Sequence, residues 1–443
     1  MDALHDTDLP DRTDVVVVGA GLAGLACARG LRRRGLDVLV VDGAEAVGGR
    51  VRTDVVDGFR CDRGFQLLNP SYPAAKRLLD LDALDLQVFG RGVDVVQADG
   101  RTATLADPTR HPGRAGAVLR SGYLRPGDLA ELARLGRWAA PALGPVHRLT
   151  DPAADDAPLA AALDRAGVDG RLRTEVLEPF LTGVLATSPA TTSARFVRLL
   201  LRSFLLATPG VPAQGMQAMP DQLAASAVAA GAALALRTPS SAVRRTADGV
   251  EVDLAPAGAP AATVRARAAV VAAGPAAAAE LVGDGLPAPR TRGLRTWWFA
   301  PAEAPARTTM LRVDGARLGP VVNTAVVSQA APSYAPPGRH LVQATTLLGD
   351  GHDADEQQVR RHLARMWGPA AGADAWEVVT VHDVPEALPA MPPPLDVRRP
   401  VDLGDGLLVA GDHRDSASIQ GALVSGSRAA AAAAARLGAR VPA

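Results

Sequence analysis

The sequence predicts an α/β chain in which a discontinuous nucleotide-binding domain is interrupted by an α+β domain with a mixed sheet and helices. Three observations carry this. A β-branched run, Val15-Val16-Val17-Val18, feeds directly into Gly19-Ala20-Gly21-Leu22-Ala23-Gly24. A second glycine turn, Gly48-Gly49-Arg50, follows a short distance on. A third cluster, Gly411-Asp412 with Gly421-Ala422, stands almost at the other end of the 443-residue chain.

The elements follow in order. Four consecutive β-branched residues have the length and composition of a parallel strand buried on both faces. In the turn after it, Gly19 permits the tight reversal, Gly21 lets backbone approach a pyrophosphate, and Gly24 lets the helix pack close to the strand. Leu22 and Ala23 open the helix, whose N-terminus favours phosphate through free N–H groups and the helix dipole. The helix runs to a C-cap at Gly35. A second strand, Leu36 to Val41, ends at Asp42-Gly43, with Asp42 placed 18 residues after Gly24 to accept ribose hydroxyls. Gly49 and Arg50 are surplus to a nicotinamide site and suit a longer flavin nucleotide, Arg50 offering a fork of donors that lysine cannot reproduce. FAD is the cofactor the motifs predict.

These motifs resemble the FAD-dependent superfamily that includes amine oxidases, protoporphyrinogen oxidases, phytoene desaturases and carotenoid isomerases, and the tail from Gly411 to Ala422 is closest to a desaturase-like subgroup of unassigned reaction. The resemblance covers nearly the whole chain. It implies that Gly64, Phe65 and Gln66 lay backbone against the flavin, and that Glu178 to Val184 and Gly215 to Pro220 are further matching segments. It also implies that Val243 meets the adenine through its backbone and that Asp412 holds a ribityl hydroxyl. The same resemblance implies that FAD is held without a covalent bond, since neither cysteine stands near Gly411. The helix after Asp412 would point the backbone N–H groups of Ile419, Gln420, Gly421 and Ala422 at the pyrimidine end of the isoalloxazine, favouring the charge that develops there on reduction.

Residues 1–75, 215–289 and 396–443 are expected to form the FAD-binding domain, and 76–214 with 290–395 the substrate domain. The hairpin around Asp248-Gly249, the strand Val264 to Ala273 and the strand Leu407 to Ala410 belong to the first. Helices at Leu129–Ala139, Leu159–Ala166 and Asp355–Trp367, and strands at Pro320–Val327 and His340–Leu348, belong to the second. Pro389 to Pro394 reads as a rigid connector, and Ala429 to Ala435 as an alanine-rich helix packed on the sheet.

Composition excludes several classes. Basic and acidic residues balance at 47 each, so nucleic acid is not an expected partner. No apolar run reaches the roughly 18 residues of a membrane span, and the acidic start Met1–Asp6 is unlike a signal peptide. A cytoplasmic protein is expected, with peripheral membrane contact and the oligomeric state left open. Two cysteines, Cys27 and Cys61, make neither a disulfide framework nor a metal cluster, and no metal is expected.

For the reaction, the segment 385–410 has no Phe, Tyr or Trp, and the sole lysine is Lys76. Both facts depart from the aromatic cage and flavin-side lysine of typical amine oxidases. Dehydrogenation or desaturation of an apolar small molecule, with hydride passing to flavin N5, is therefore the leading expectation. His413 and Arg414 are the candidate catalytic residues, His413 as a proton shuttle near neutral pH, with Asp415 beside them. Trp297 and Trp298 are candidates for one wall of the site or for core packing. The alternatives are an amine oxidase producing hydrogen peroxide, a non-redox isomerase using reduced FAD, and a non-enzymatic prenyl or lipid carrier of the same fold.

Overall fold

A computed structural model describes residues 9–106, 123–283, 286–349, 351 and 353–439; the start Met1–Asp6 lies outside them. The valine run forms the strand Arg12–Val18, and its four valines are at most 5% exposed. Burial on both faces is the reason the run is continuous rather than alternating. Val15 and Val17 join the core beneath the helices, while Val16 and Val18 pack on the opposite face with Val250, Val252 and Leu254.

This strand is central in a seven-stranded sheet of order Ser240–Thr246, Gly249–Leu254, Ala262–Val271, Arg12–Val18, Val38–Val41, Ala233–Ala235. Ala262–Val271 runs parallel to Arg12–Val18. Its first half pairs antiparallel with Gly249–Leu254, and its last residues pair parallel with the seventh strand, Leu407–Val409. The hairpin at Asp248-Gly249 is present, Gly249 taking φ +145. The chain therefore returns to one sheet from three separate stretches of sequence.

Across this sheet the helix Leu22–Arg32 packs on the C-terminal helix Ile419–Arg436. The contact is backbone-close, since a Cβ at Gly426 would collide with the carbonyl of Ala23, and one at Gly30 would press on Ala430. Alanine and glycine recur in the last helix, Ala429, Ala430 and Ala433 being fully buried, because thin side chains set this separation.

The second seven-stranded sheet has the order Glu377–Pro389, Thr291–Ala300, Val342–Leu348, Val321–Val326, Leu311–Asp314, Gly92–Val96, Thr102–Ala106. Its pairs are antiparallel except for Leu311–Asp314 with Gly92–Val96, so it is mixed, as expected. The expected helices appear as Pro126–Ala139, Leu159–Arg165 and Glu356–Trp367, the last capped by Asp355 in a reciprocal box with Gln358. Trp297 and Trp298 are core residues of strand Thr291–Ala300, at 4% and 0% exposure. Their ring N–H groups are satisfied by Thr346 Oγ1 and the carbonyl of Asp62. Neither forms a wall of the site.

Replacing Gly426 with valine should lower stability by about 1–3 kcal/mol or more by forcing the two helices apart. Thermal or denaturant unfolding of the holoprotein measures it, with Ala433→Val, on the same helix face, as a milder comparison.

Candidate FAD site

One elongated cavity of about 490 Å³ threads between the two sheets. At one end its wall is Val41, Asp42, Gly43, Pro239 and Ser240; Gly19, Gly21, Leu22, Ala23, Gly49 and Arg50 follow; then come Gly64, Phe65, Gln66, Gly411, Asp412, Ile419 and Ala422. Segments separated by hundreds of residues thus share one surface.

Local sequence explains each wall. Gly19 has φ +110 and sits against the backbone of Ala272 and Ala273. Gly24 faces the carbonyl of Gly19, where any Cβ would collide, so it supports the turn from behind and does not reach the cavity. The space that a side chain at Gly21 would fill is cavity: the nearest heavy atom to a Cβ built there is the Gly48 carbonyl oxygen, 3.9 Å away. No side chain caps the helix that starts at Leu22. Open volume beside uncapped amides is the form a pyrophosphate needs. Asp42 is held by the N–H groups of Ala20 (2.7 Å) and Ala44 (2.8 Å), which fix its carboxylate at the cavity edge.

In the middle of the tunnel Arg50 Nη2 donates to Asp412 Oδ1 at 2.5 Å, and Nη1 donates to the carbonyl of Ala387 at 2.8 Å. Burial pulls the Arg50 pKa down, but Asp412 and Glu386 outweigh it and leave the value above the usual one, so the guanidinium stays charged. Gln66 Nε2 donates to the carbonyls of Arg50 and Arg63, tying the second glycine turn to the Gly64–Gln66 strip. That strip is anchored from behind by Asp62, 2% exposed, which accepts hydrogen bonds from Thr53 Oγ1, the Met216 amide and the Tyr334 hydroxyl. Arg63, on the wall, is locked by a bidentate pair with Asp54, whose Oδ2 also meets His382 Nε2 at 2.9 Å.

Several placements differ from the sequence expectation. Val243 lies in strand Ser240–Thr246 opposite Val252 and packs into the sheet core; Pro239 and Ser240 reach the cavity there instead. At the C-terminal helix, Ser418 Oγ accepts from the Gly421 amide and the Ser418 carbonyl accepts from Ala422. Only the amides of Ile419 and Gln420 remain at the open turn. The Gln420 side chain turns away to accept from the Ala74 amide, and Gly421 is pressed against the Ser416 backbone.

The structure places His413 and Arg414, the expected catalytic residues, away from the cavity wall. His413 is 3% exposed, sits behind Gly411 and is off the cavity wall. Burial pushes its pKa down to about 4, so the ring is neutral at neutral pH. Arg414 donates to the carbonyl of Pro400, an anchor for the loop. Asp415 pairs with Arg428 at 3.2 Å.

The far end of the cavity was not legible in the motifs. Tyr72, Phe180, Val184, Leu200, Phe204, Leu311, Asn323, Val384 and Leu388 form it, with Phe180 and Phe204 edge to face at 5.4 Å. Phe180, Gly183 and Val184 come from the segment that the resemblance singled out. Leu200 and Phe204 come from the helix Ala194–Leu206, whose four-residue spacing was the available signal. Asn323 approaches Gly183 closely, and its carbonyl accepts from Gln343 Nε2. Cys27 and Cys61 are buried and off the wall, which accords with a cofactor held without a thioether bond. Among the described residues no cluster of His, Cys, Asp and Glu could hold a metal ion.

A cavity walled by all three glycine turns in this α/β frame has the form of a nucleotide site. A family model described as flavin containing amine oxidoreductase matches residues 22–434, and the chain belongs to that family. It is an FAD-dependent oxidoreductase. Putrescine oxidase of Kocuria rosea is 35% identical over 141 residues, 29% of this chain and 28% of that protein. Hydroxyneurosporene desaturase of Rubrivivax gelatinosus is 56% identical over 50 residues, 11% of this chain and 10% of its own. These alignments span well under two thirds of the relatives' lengths. The crystal structure of an oxidoreductase from Methanosarcina mazei superposes with a TM-score of 0.72 at 17% identity, covering 94% of this chain and 99% of that one, and shares the fold.

Two outcomes test this site. Arg50→Met, which leaves Asp412 buried and unpaired, should cost about 3–5 kcal/mol of apo stability and release FAD on gel filtration, read as loss of the visible flavin absorbance. Burial also raises the Asp62 carboxyl from 3.8 to about 6, against hydrogen bonds that lower it. Between about pH 4 and pH 6 the unfolded chain has released a proton that the native state retains, so stability falls as pH rises through that window. Asp62→Asn, which keeps hydrogen-bonding capacity on both sides, should flatten that slope in urea melts.

Proposed function

We propose that the protein dehydrogenates an apolar, unsaturated or prenyl-like small molecule at the end of the cavity built from Phe65, Phe180, Leu200, Phe204 and Leu388. When bound, FAD supplies the hydride acceptor. The observation that carries this reading is the charge of the wall. Among the described residues its only carboxylates are Asp42 and Asp412, both among the glycine turns, and none of those residues puts a carboxylate at the end lined by phenylalanine and leucine. A diamine would bring a second ammonium into that end without a counter-ion, at a desolvation cost of several kcal/mol.

In this reading Asp42 would accept the ribose hydroxyls. The Leu22 and Ala23 amides with Gly21 would take the pyrophosphate, Arg50 would neutralise it or its neighbours, and Asp412 would hold the ribityl chain. The amides of Ile419 and Gln420 would favour the charge that reduction places nearby. The residues at the far end orient the substrate and exclude water, Asn323 and Tyr72 offering the polar handles. Lys76, on the exposed face of the helix Pro73–Leu78, is absent from the wall, which also runs against a typical amine oxidase. The proposed domain boundaries, 1–75, 215–289 and 396–443 against 76–214 and 290–395, are supported by the two sheets, since no strand of either crosses them.

Anaerobic addition of apolar unsaturated compounds should bleach the flavin band, whereas a panel of primary amines and diamines should neither bleach it nor yield hydrogen peroxide. Bleaching by putrescine at micromolar concentration would overturn the proposal. Phe204→Ala should raise KM for the active compound by about tenfold, the worth of roughly 1.4 kcal/mol of lost contact.

A further inference from the structure

We infer that the helical patch formed by Leu129, Leu132, Leu143, Val146, Leu205 and Leu206 seats the protein on an anionic lipid surface. These six side chains are 44–61% exposed. On helix Pro126–Ala139, Leu129, Leu132, Ala133, Gly136 and, one turn on, Ala140 are all exposed at three- and four-residue spacing, an outward stripe with no partner among the described residues. Scattered single leucines need no explanation; a continuous stripe does.

The patch extends across two more segments. Arg202 of helix Ala194–Leu206 donates to the carbonyls of Ala142 and Gly144, and Arg198 to that of Trp138, so this helix lies beside the stripe. Leu205 and Leu206, three and four residues beyond Arg202, fall on that side, close to Leu143 and Val146 in the fold.

Charge selects the occupant. From Arg125 to Thr150 the arginines Arg125, Arg137 and Arg148 are exposed, while the two carboxylates are buried. Asp128 accepts from the Arg125 amide and pairs with Arg171, and Glu131 accepts from the amides of Gly170, Leu172 and Arg173. Along 125–150 the outward face therefore combines apolar and cationic groups in a chain with no net charge, and exposed acids stand at its borders, Asp151 at the end of the helix Val146–Thr150 and Asp82 and Asp85 beside Leu206. That combination matches the boundary between anionic headgroups and acyl chains.

The patch also bears on the proposed reaction, and in this respect the inference rests on the apolar-substrate reading. Helix Ala194–Leu206 presents Leu200 and Phe204 to the cavity and Leu205 and Leu206 to the surface. One helix thus links the patch to the substrate end of the cavity.

Vesicle co-sedimentation of the FAD-loaded protein tests the patch without any substrate, so its failure leaves the reaction to the bleaching experiment. Vesicles of phosphatidylglycerol and phosphatidylcholine should carry the protein down, pure phosphatidylcholine about tenfold less. The double variant Leu143→Asp with Val146→Asp should lose tenfold or more in partitioning while its flavin spectrum and melting temperature stay within error. Retained binding by that variant, or no binding of the parent to either vesicle, overturns the inference. So does a dimer in solution that the variant dissociates, because a second copy would then be the occupant.

Discussion

The ion pair between Arg50 and Asp412 is the constraint on which the rest of the site depends. It joins residues 362 positions apart at 2.5 Å, with the Asp412 side chain only 4% exposed. A buried pair contributes little net stability over an apolar substitute, but loss of one partner strands a charge. Its consequence is therefore positional. The second glycine turn and the last helix are held at a fixed separation, and the cavity between them has a defined width before any nucleotide enters. Gln66, reaching from the third strip to the carbonyl of Arg50, extends the same frame.

Backbone proximity does the remaining work at this end. Gly19 against Ala272, Gly24 against Gly19 and Gly426 against Ala23 are all approaches that a single methyl group would block. This is why the FAD-binding half was legible in the sequence. Each requirement there falls on backbone, so it is written as glycine at fixed spacing, and the strands beside it are buried on two faces and read as unbroken valine. The failures at this end have the same origin. Gly24 packs helix against strand, as its spacing predicts, whereas Gly421, expected to turn its amide to the flavin, has that amide taken by Ser418 Oγ. Val243 was carried over by resemblance, and the strand register put Pro239 and Ser240 at the cavity instead.

The substrate end was not legible, because its requirements fall on side chains supplied by unrelated elements. Phe180, Leu200, Phe204, Asn323 and Leu388 belong to two helices and two strands, and apart from the four-residue step between Leu200 and Phe204 no spacing rule connects them. Trp297 and Trp298 show the converse. Large aromatics near the right sequence region were taken up by the core of a central strand, their N–H groups satisfied internally, which is the ordinary fate of a buried tryptophan.

The position of His413 sharpens the chemical argument. With its ring off the wall and neutral, the ionisable groups on the cavity surface are Asp42, Arg50, Arg63, Tyr72 and Asp412. Arg50 is committed to Asp412 and Arg63 to Asp54, while burial holds the Tyr72 hydroxyl above its usual pKa. Asp42 is held by the Ala20 and Ala44 amides, so among the described residues no side chain with a free base lines the phenylalanine-rich end. Oxidation by hydride removal does not demand one, whether the carbon bears an amine or an alkene, so this feature does not separate the two chemistries. What separates them is the cost of bringing each substrate in. A cation entering the phenylalanine-lined end exchanges water for carbon, whereas an apolar chain gains about 25 cal/mol for each Å² it buries there. On the proposed reading, selectivity is thus set by desolvation at the far end of the tunnel, away from the groups that would hold the cofactor.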